Sequence, residues 1–91
     1  MRVKVKIFYP SLQQFINKQD LIQVDGSTVG ECLEHLAAQF PDIRPVMFGK
    51  DGKLLSYLDV YVNGESAYPE ELAKPVKAGD EIDLVVMLSG G

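Results

Sequence analysis

The last residues of the sequence offer the plainest opportunity for chemistry. Gly90 and Gly91 follow a run from Asp80 that is acidic and rich in β-branched residues. Two residues without Cβ have more backbone freedom than any other pair, so residues 88–91 are expected to form a flexible tail. Such a tail presents an unhindered carboxylate and is slim enough to enter a narrow channel in another protein. An ordinary frayed end is the simpler interpretation, and other features have to decide between the two.

Cys32 and His35 form a second arrangement with chemical potential, because two metal ligands can use the spacing Cys-x-x-His. Cys32, however, lies on the apolar stripe of a predicted helix, and His35 lies about 60° further round on its polar side. The sequence has no other cysteine or histidine that could complete a site. We therefore predict a buried structural thiol, a solvated imidazole and no metal site.

Other catalytic arrangements find little support. A catalytic thiol at Cys32 would need an accessible, electropositive setting. No base can be placed near Ser89, and a serine nucleophile needs one. Glu70 and Glu71 are more typical of a solvated acidic surface than of a general acid–base pair. The chain is therefore predicted not to be an enzyme by itself.

Size and composition predict a single globular domain that spans residues 1–91. The formal net charge of −4 argues against nucleic acid, whose binding requires basic residues that neutralise phosphates. A single cysteine excludes an intrachain disulfide. The first residues alternate charged and apolar side chains, unlike a signal peptide, and no apolar run reaches the length of a membrane span. We expect a cytoplasmic location and neither a nucleic-acid nor a membrane partner.

Alternating apolar and polar residues predict five strands. Pro10 ends the first of them, because proline cannot donate to a ladder. Asn63-Gly64 is a strong hairpin signal, since both residues tolerate the positive φ of a type I′ turn. The predicted strands are Val3–Ile7, Leu21–Val24, Leu58–Val62, Glu65–Tyr68 and the run that begins at Asp80.

One helix is predicted, from Thr28 to Phe40. Thr28-x-x-Glu31 is a capping box, and Pro41 ends the helix because it disfavours helical geometry at the preceding residue. Gly30 lowers helix propensity for no reason visible in the sequence. The apolar side chains of the helix form a single stripe of Val29, Cys32, Leu33, Leu36, Ala37 and Phe40.

The predicted order of elements is thus β-β-α-β-β-β. A single helix has to bury its apolar stripe against one face of a single sheet. The other face of the sheet is left for solvent or for a partner. The fold class predicted is an α+β roll.

The order and several motifs resemble the β-grasp fold of ubiquitin-like proteins. The details resemble the MoaD/ThiS family of sulfur carriers, which includes the small subunit of molybdopterin synthase. The resemblance implies a mixed sheet in which the first and last strands are neighbours. It rests on the first strand, the helix after Thr28, the segments 60–65 and 75–81, and the terminal Gly90-Gly91.

The resemblance also implies a chemistry for the tail. In this family an adenylating (E1-like) enzyme uses ATP to activate the terminal carboxylate, and a sulfur donor converts it to a thiocarboxylate. Gly91 would carry the modification and Gly90 would let it reach the active site. The chain itself would bind no cofactor. The role implied is sulfur transfer in molybdopterin biosynthesis, with the large subunit of molybdopterin synthase as partner; thiamine or cysteine/methionine biosynthesis is the alternative.

Strand parity predicts a surface for such partners. If Ile82, Leu84 and Val86 face the helix, then the residues between them face outward. Phe8, Tyr61, Val85 and Met87 could then form one exposed apolar patch. Such patches usually mark protein interaction sites, although long charged neighbours could cover this one. The predicted partner-binding residues are Phe8, Tyr61, Val85, Met87, Leu88 and Ser89.

Three functions therefore remain open from the sequence. The first is a sulfur carrier, and the second is a ubiquitin-like modifier joined to lysines of other proteins through Gly91. The third is an interaction module with an inert tail. Deletion of Gly90-Gly91 separates the third from the other two, because only an inert tail would tolerate it.

Overall fold

The computed structural model describes residues 1–8, 13–17, 19 and 21–86. Within them the elements follow the predicted order of two strands, a helix and three strands. The strands are β1 (Arg2–Ile7), β2 (Ile22–Asp25), β3 (Leu58–Val62), β4 (Glu65–Ser66) and β5 (Glu81–Val86). The long helix is α1 (Val29–Gln39), followed by the short α2 (Arg44–Met47). In this described part no helix has the length and apolarity needed to cross a membrane.

The five strands form one mixed sheet in the order β2-β1-β5-β3-β4. β1 and β5 pair in parallel at its centre, and the other neighbouring pairs are antiparallel. The predicted α+β class is therefore confirmed, as is the expectation that the first and last strands are neighbours. β4 is shorter than predicted, since only Glu65 and Ser66 are paired within it.

The sheet buries one face against α1. Val3, Val5 and Ile7 of β1 are buried, and so are Ile82 and Leu84 of β5. Because side chains alternate along a strand, this confirms the predicted parity. The helical stripe is confirmed as well, since five of its side chains are buried: Val29, Cys32, Leu33, Leu36 and Ala37.

The start of α1 is capped much as predicted. The N–H of Glu31 donates to Thr28 Oγ1 over 3.1 Å. The Glu31 carboxylate accepts from both the N–H and the hydroxyl of Ser27, each at 2.8 Å. In the usual capping box the carboxylate would accept from the N–H of Thr28, so the contact with Ser27 lies one residue further back. The hydrogen bond from the Ser27 N–H lowers the pKa of Glu31.

Gly30 has a packing role that the sequence did not reveal. A Cβ at this position would lie 2.9 Å from the carbonyl oxygen of Leu72. The N–H of Val29 donates to the carbonyl of Lys74 over 2.9 Å. The 3-10 turn Glu71–Ala73 therefore packs against the first turn of α1, where a larger residue would have no room.

The irregular stretch after α1 completes the core. Its 3-10 turn Pro41–Ile43 runs directly into α2. Ile43, Met47 and Phe48 are buried. The backbone of Phe48 forms an isolated antiparallel β-bridge with that of Leu54. This long connection, which has no clear pattern in the sequence, thus adds three buried side chains to the core.

Candidate functional site

The face of the sheet turned away from α1 carries the described residues that were predicted to bind a partner. We call it the open face. Because side chains alternate along a strand, this face carries the side chains of the residues that lie between the buried positions described above. The open face consists of Arg2, Lys4, Lys6 and Phe8, of Gln23 and Asp25, of Asp59 and Tyr61, and of Glu81, Asp83 and Val85.

Strand register arranges these residues in rows. In the middle row, Lys6 of β1 pairs with Asp83 of β5, which pairs with Tyr61 of β3. The next row toward the C-terminus contains Val85, which pairs with Asp59. The N–H of Phe8 donates to Leu84 O over 2.9 Å and continues the parallel ladder, so Phe8 belongs to this row.

Acidic groups stand at the centre of the open face. Lys6 Nζ lies 3.7 Å from Glu81 Oε1 and forms an ion pair with it. Asp83 Oδ1 is shielded from solvent, and no group in the described residues donates a hydrogen bond to it. Burial, followed by the neighbouring Glu81, raises the pKa of Asp83 to about 6. A protonated Asp83 can donate to the Glu81 carboxylate, which lowers the pKa of Glu81.

The structure places three of the predicted partner-binding residues on this face. Phe8 is 56% exposed, whereas Tyr61 and Val85 are half buried. The apolar surface is not continuous, because Asp83 lies between Lys6 and Tyr61 and Asp59 lies beside Val85. Their role in binding stays a prediction.

The remaining predicted site residues lie outside the described part of the chain. They are Met87, Leu88, Ser89, Gly90 and Gly91. β5 ends at Val86 and therefore leads directly toward them. Gly91 as the site of modification and Gly90 as its neighbour remain predictions.

Leu21 is an exposed apolar residue that the parity argument missed. It precedes β2 by one residue and is 36% exposed. It shares the parity of Gln23, which pairs with Lys4 of the open face. The alternation of Leu21 and Gln23 with the buried Ile22 and Val24 was available in the sequence and would have pointed to it.

A hydrogen-bond network holds the beginning of β5 in place. Asn63 Nδ2 donates to Asp80 Oδ1 over 3.0 Å, and the N–H of Glu81 donates to Asn63 Oδ1 over 3.0 Å. Asp80 Oδ2 accepts from the N–H of Lys77 over 2.9 Å. The bond from Asn63, followed by that from Lys77, lowers the pKa of Asp80. The turn after β3 and the turn before β5 are thereby joined, which sets the register of the open face.

Cys32 and His35 have separate structural roles. Cys32 is fully buried, and burial raises the pKa of its thiol to about 11, so the thiol is neutral and inaccessible. His35 was predicted to be solvated, and the imidazole is partly so: it is half buried, and its Nδ1 accepts from the N–H of Asp25 over 2.7 Å, a partner that the sequence did not reveal. Over the described ranges no three His, Cys, Asp or Glu side chains are grouped so that they could hold a metal ion.

Comparison with known proteins identifies the family. The model of the ThiS family matches residues 6–91. Small archaeal modifier protein 1 of Haloferax volcanii is 39% identical over 71 residues, which are 77% of this chain and 78% of that protein. A protein of Archaeoglobus fulgidus, provisionally named a sulfur carrier protein, is 30% identical over 93 residues and covers 100% of both chains.

Solved structures agree with this assignment. The crystal structure of the Haloferax volcanii protein superposes with a TM-score of 0.85 at 32% identity and covers 100% of both chains. A chain of the Amycolatopsis orientalis BexX/CysO complex superposes with a TM-score of 0.84 at 26% identity, over 98% of this chain and 99% of that one. The ubiquitin-like β-grasp fold predicted from the sequence is thus confirmed. The chain belongs to the ThiS family, a group of small ubiquitin-like sulfur carriers and modifiers.

Proposed function

We propose that this protein is a sulfur carrier that acts through a thiocarboxylate at Gly91. The observation that carries the proposal is the match to the ThiS family through residue 91, which includes the diglycine. A side chain at residue 90 or 91 would crowd an attack on the acyl carbon, and glycine leaves that carbon open.

The proposed reaction has two steps, both catalysed by partner enzymes. First, an oxygen of the Gly91 carboxylate attacks the α-phosphorus of ATP, so that an acyl adenylate forms and pyrophosphate leaves. Second, a sulfide-level donor, hydrosulfide in the simplest case, attacks the acyl carbon through its sulfur; AMP leaves with the bonding electrons of the broken C–O bond, and the sulfhydryl proton passes to solvent. The product is a thiocarboxylate at Gly91. The carrier supplies the acyl group, and we place the reaction in the cytoplasm, where ATP is available.

The single cysteine supports sulfur carriage at the carboxylate rather than on a thiol. Cys32 is fully buried and its pKa is raised to about 11. A persulfide on Cys32 could neither form nor deliver its sulfur without opening the core, because the reactive form of cysteine is the exposed thiolate.

The acceptor implied by the sequence is the large subunit of molybdopterin synthase. Its test is whether the thiocarboxylate is consumed when that subunit and its substrate are added. If the thiocarboxylate is instead consumed by an enzyme of thiamine or cysteine/methionine biosynthesis, the carrier acts in that pathway.

A second candidate function is protein modification. It is favoured by the 39% identity to a protein named as a small archaeal modifier. The same activated carboxylate of Gly91 would be attacked by a lysine amine of a target protein, with release of AMP. Conjugates of increased mass that disappear when Gly91 is deleted would support this function.

The decisive experiment is the intact mass of the protein after incubation with its adenylating enzyme, ATP and a sulfur donor. We expect a gain equal to the replacement of one oxygen by sulfur. The gain should vanish when Gly91 is deleted and persist in the Cys32→Ala variant, which removes the only thiol. An unchanged mass in the presence of an active enzyme would contradict the proposal. So would a gain lost in Cys32→Ala, because oxidation of the thiol by one oxygen adds nearly the same mass as the replacement of oxygen by sulfur at Gly91.

A further inference from the structure

The outer edge of β2 directs backbone groups away from the sheet. β2 is the first strand in the order β2-β1-β5-β3-β4, so among the described strands only β1 pairs with it. The N–H of Gly26 donates to Met1 O over 3.0 Å, and hydrogen-bonded pairs alternate along an antiparallel ladder. Gln23 and Asp25 therefore direct their backbone N–H and C=O groups outward. An edge of this kind is a template for another strand.

Two side chains of α1 lie across this edge. His35 Nδ1 accepts from the N–H of Asp25 over 2.7 Å, and Gln39 Nε2 donates to Gln23 O over 3.1 Å. We call His35 and Gln39 the edge cover. A second antiparallel strand needs both the N–H and the C=O of an outward residue to close a pair with it. The edge cover occupies one of the two groups on each outward residue, so neither residue can complete such a pair while the cover is in place.

Only one of the two hydrogen bonds of the edge cover responds to pH. An imidazole nitrogen accepts a hydrogen bond only while it carries no proton, and histidines change charge between about pH 5 and 8. A proton added to Nδ1 of His35 would point at the N–H of Asp25, so this bond is lost in acid. The amide of Gln39 does not titrate and keeps its bond to Gln23.

The charged groups around His35 do not hold a protonated imidazole at the edge. Each nearby carboxylate already has a partner: Asp25 pairs with Arg2, Glu31 accepts from Ser27, and Glu34 pairs with Arg44. The charged groups of the surrounding elements are the amino group of Met1, Arg2 of β1, Asp25 of β2, Glu31 and Glu34 of α1, and Arg44 of α2. An imidazolium therefore gains no dedicated counter-charge in exchange for the lost bond.

The sequence of β2 fits a second copy of the same strand. Two β2 strands related by a two-fold axis can pair antiparallel around Gln23, which places Asp25 of one copy opposite Leu21 of the other. The two Asp25 carboxylates then do not face each other, and the two Gln23 amides can hydrogen-bond. Leu21, which is 36% exposed, loses apolar surface to solvent in this arrangement. Because each copy uses its only β2, the pairing ends at a dimer.

We infer that the edge cover keeps β2 from pairing with β2 of a second copy, and that protonation of His35 opens the edge at Asp25 for this pairing. The protein is a monomer near neutral pH, and in acid it forms a two-fold dimer with a sheet that continues across both copies. This pairing is independent of the chemistry proposed for Gly91, because β1 separates β2 from β5, the strand that leads to the diglycine.

Sedimentation equilibrium of the wild type at about pH 7.5 and about pH 5.5 tests the role of His35. We expect self-association to be about ten-fold stronger at the lower pH, the gain from one or two hydrogen bonds. The matched variant is His35→Asn, whose Oδ1 takes the place of Nδ1 and accepts from Asp25 at both pH values. It should associate in acid about ten-fold more weakly than the wild type. Equal association of the two proteins in acid would overturn the inference, because loss of net charge affects both alike.

Removal of the edge cover tests the pairing at neutral pH. The double variant His35→Ala, Gln39→Ala frees both outward residues and should associate at least about ten-fold more strongly than the wild type. Glu34→Ala truncates a neighbouring exposed side chain of α1 that is paired with Arg44, and it should associate like the wild type. NMR spectra check the fold of each variant and should show contacts between Asp25 of one copy and Leu21 of the other in the dimer. A folded double variant that associates no more strongly than the wild type would overturn the inference; should it not fold, the comparison with His35→Asn still decides.

Discussion

The two faces of the sheet differ in how completely their side chains are satisfied. On the face toward α1, the core side chains of β1 and β5 are at most 3% exposed, and polar groups at its margin are paired, as with Asp80 and Asn63. On the open face, Asp83 has a shielded oxygen that accepts no hydrogen bond in the described chain, and Phe8 is exposed. A carboxylate oxygen that is shielded from water and accepts no hydrogen bond lowers stability, so the open face is less completely satisfied than the face toward α1.

The largest difference in the free energy of unfolding is expected between two leucine-to-alanine substitutions, one on each side of the sheet. Leu33 of α1 is fully buried against the sheet, whereas Leu21 is 36% exposed beside the open face. Leu33→Ala should lower the free energy of unfolding by about 3 kcal/mol, because it removes buried apolar surface and leaves a cavity. Leu21→Ala should lower it by less than about 1 kcal/mol. Urea denaturation measures both, and equal losses would show that the two faces do not differ as described.

A smaller change in the free energy of unfolding is expected from removing the Asp83 carboxylate. Folding raises the pKa of Asp83 from 3.8 to about 6, so its contribution to stability is fully present below the unfolded value and is lost as the pH rises through about 6. Asp83→Asn should therefore raise the free energy of unfolding at about pH 7.5 by about 1 kcal/mol, a value reduced by solvent screening. At about pH 4 the variant and the wild type should differ little.

The pH profile of Asp83→Asn distinguishes this charge effect from a packing effect. Urea midpoints at several pH values between about 4 and 7.5 give the difference between variant and wild type. A difference that is the same at every pH would mean that the substitution acts through shape rather than charge. Asp59→Asn, on the same face, is the matched control for loss of a carboxylate.

The smallest effect is expected where a polar group is paired at the margin of the sheet. β2 is an edge strand, and α1 satisfies two of its backbone groups: His35 Nδ1 accepts from the N–H of Asp25, and Gln39 Nε2 donates to Gln23 O. His35→Ala should cost only about 0.5 kcal/mol, since water can replace the imidazole at this exposed edge.

Hydrogen exchange gives the sharper measurement for this edge. The amide of Asp25 should exchange faster in His35→Ala, while that of Val5, in the interior strand β1, should keep its rate. Unchanged exchange at Asp25 would show that the imidazole does not protect the edge. Edge strands with unpaired backbone groups are sites of unwanted strand pairing, and here side chains of α1 occupy part of that edge.

Much of the fold followed from local patterns in the sequence. The helix was predicted to within one residue at each end, because Thr28, Pro41 and an apolar stripe are short-range signals. Asn63 and Gly64 adopt φ values of 52° and 86°, as the predicted turn requires. Strand parity predicts that Phe8, Tyr61 and Val85 share one face of the sheet, and the register of the strands agrees.

The contacts that escaped prediction join residues distant in the chain. Asn63 and Asp80 were part of two separate motifs in the sequence, and only the structure shows that their side chains bond to each other across 17 residues. The need for glycine at position 30 depends on Leu72, and the role of His35 depends on Asp25. None of these pairs is visible in a pattern of period 2 or 3.6.

The sequence by itself determined which residues form strands and helix, which side of each element is apolar, and that a diglycine follows the last strand. These properties depend on neighbours a few residues away, within reach of backbone sterics and side-chain periodicity. The tertiary structure alone decided that β5 also pairs with β3, and so brought Asp83 between Lys6 and Tyr61. That placement depends on how the whole chain packs, because it joins strands that are far apart in the sequence.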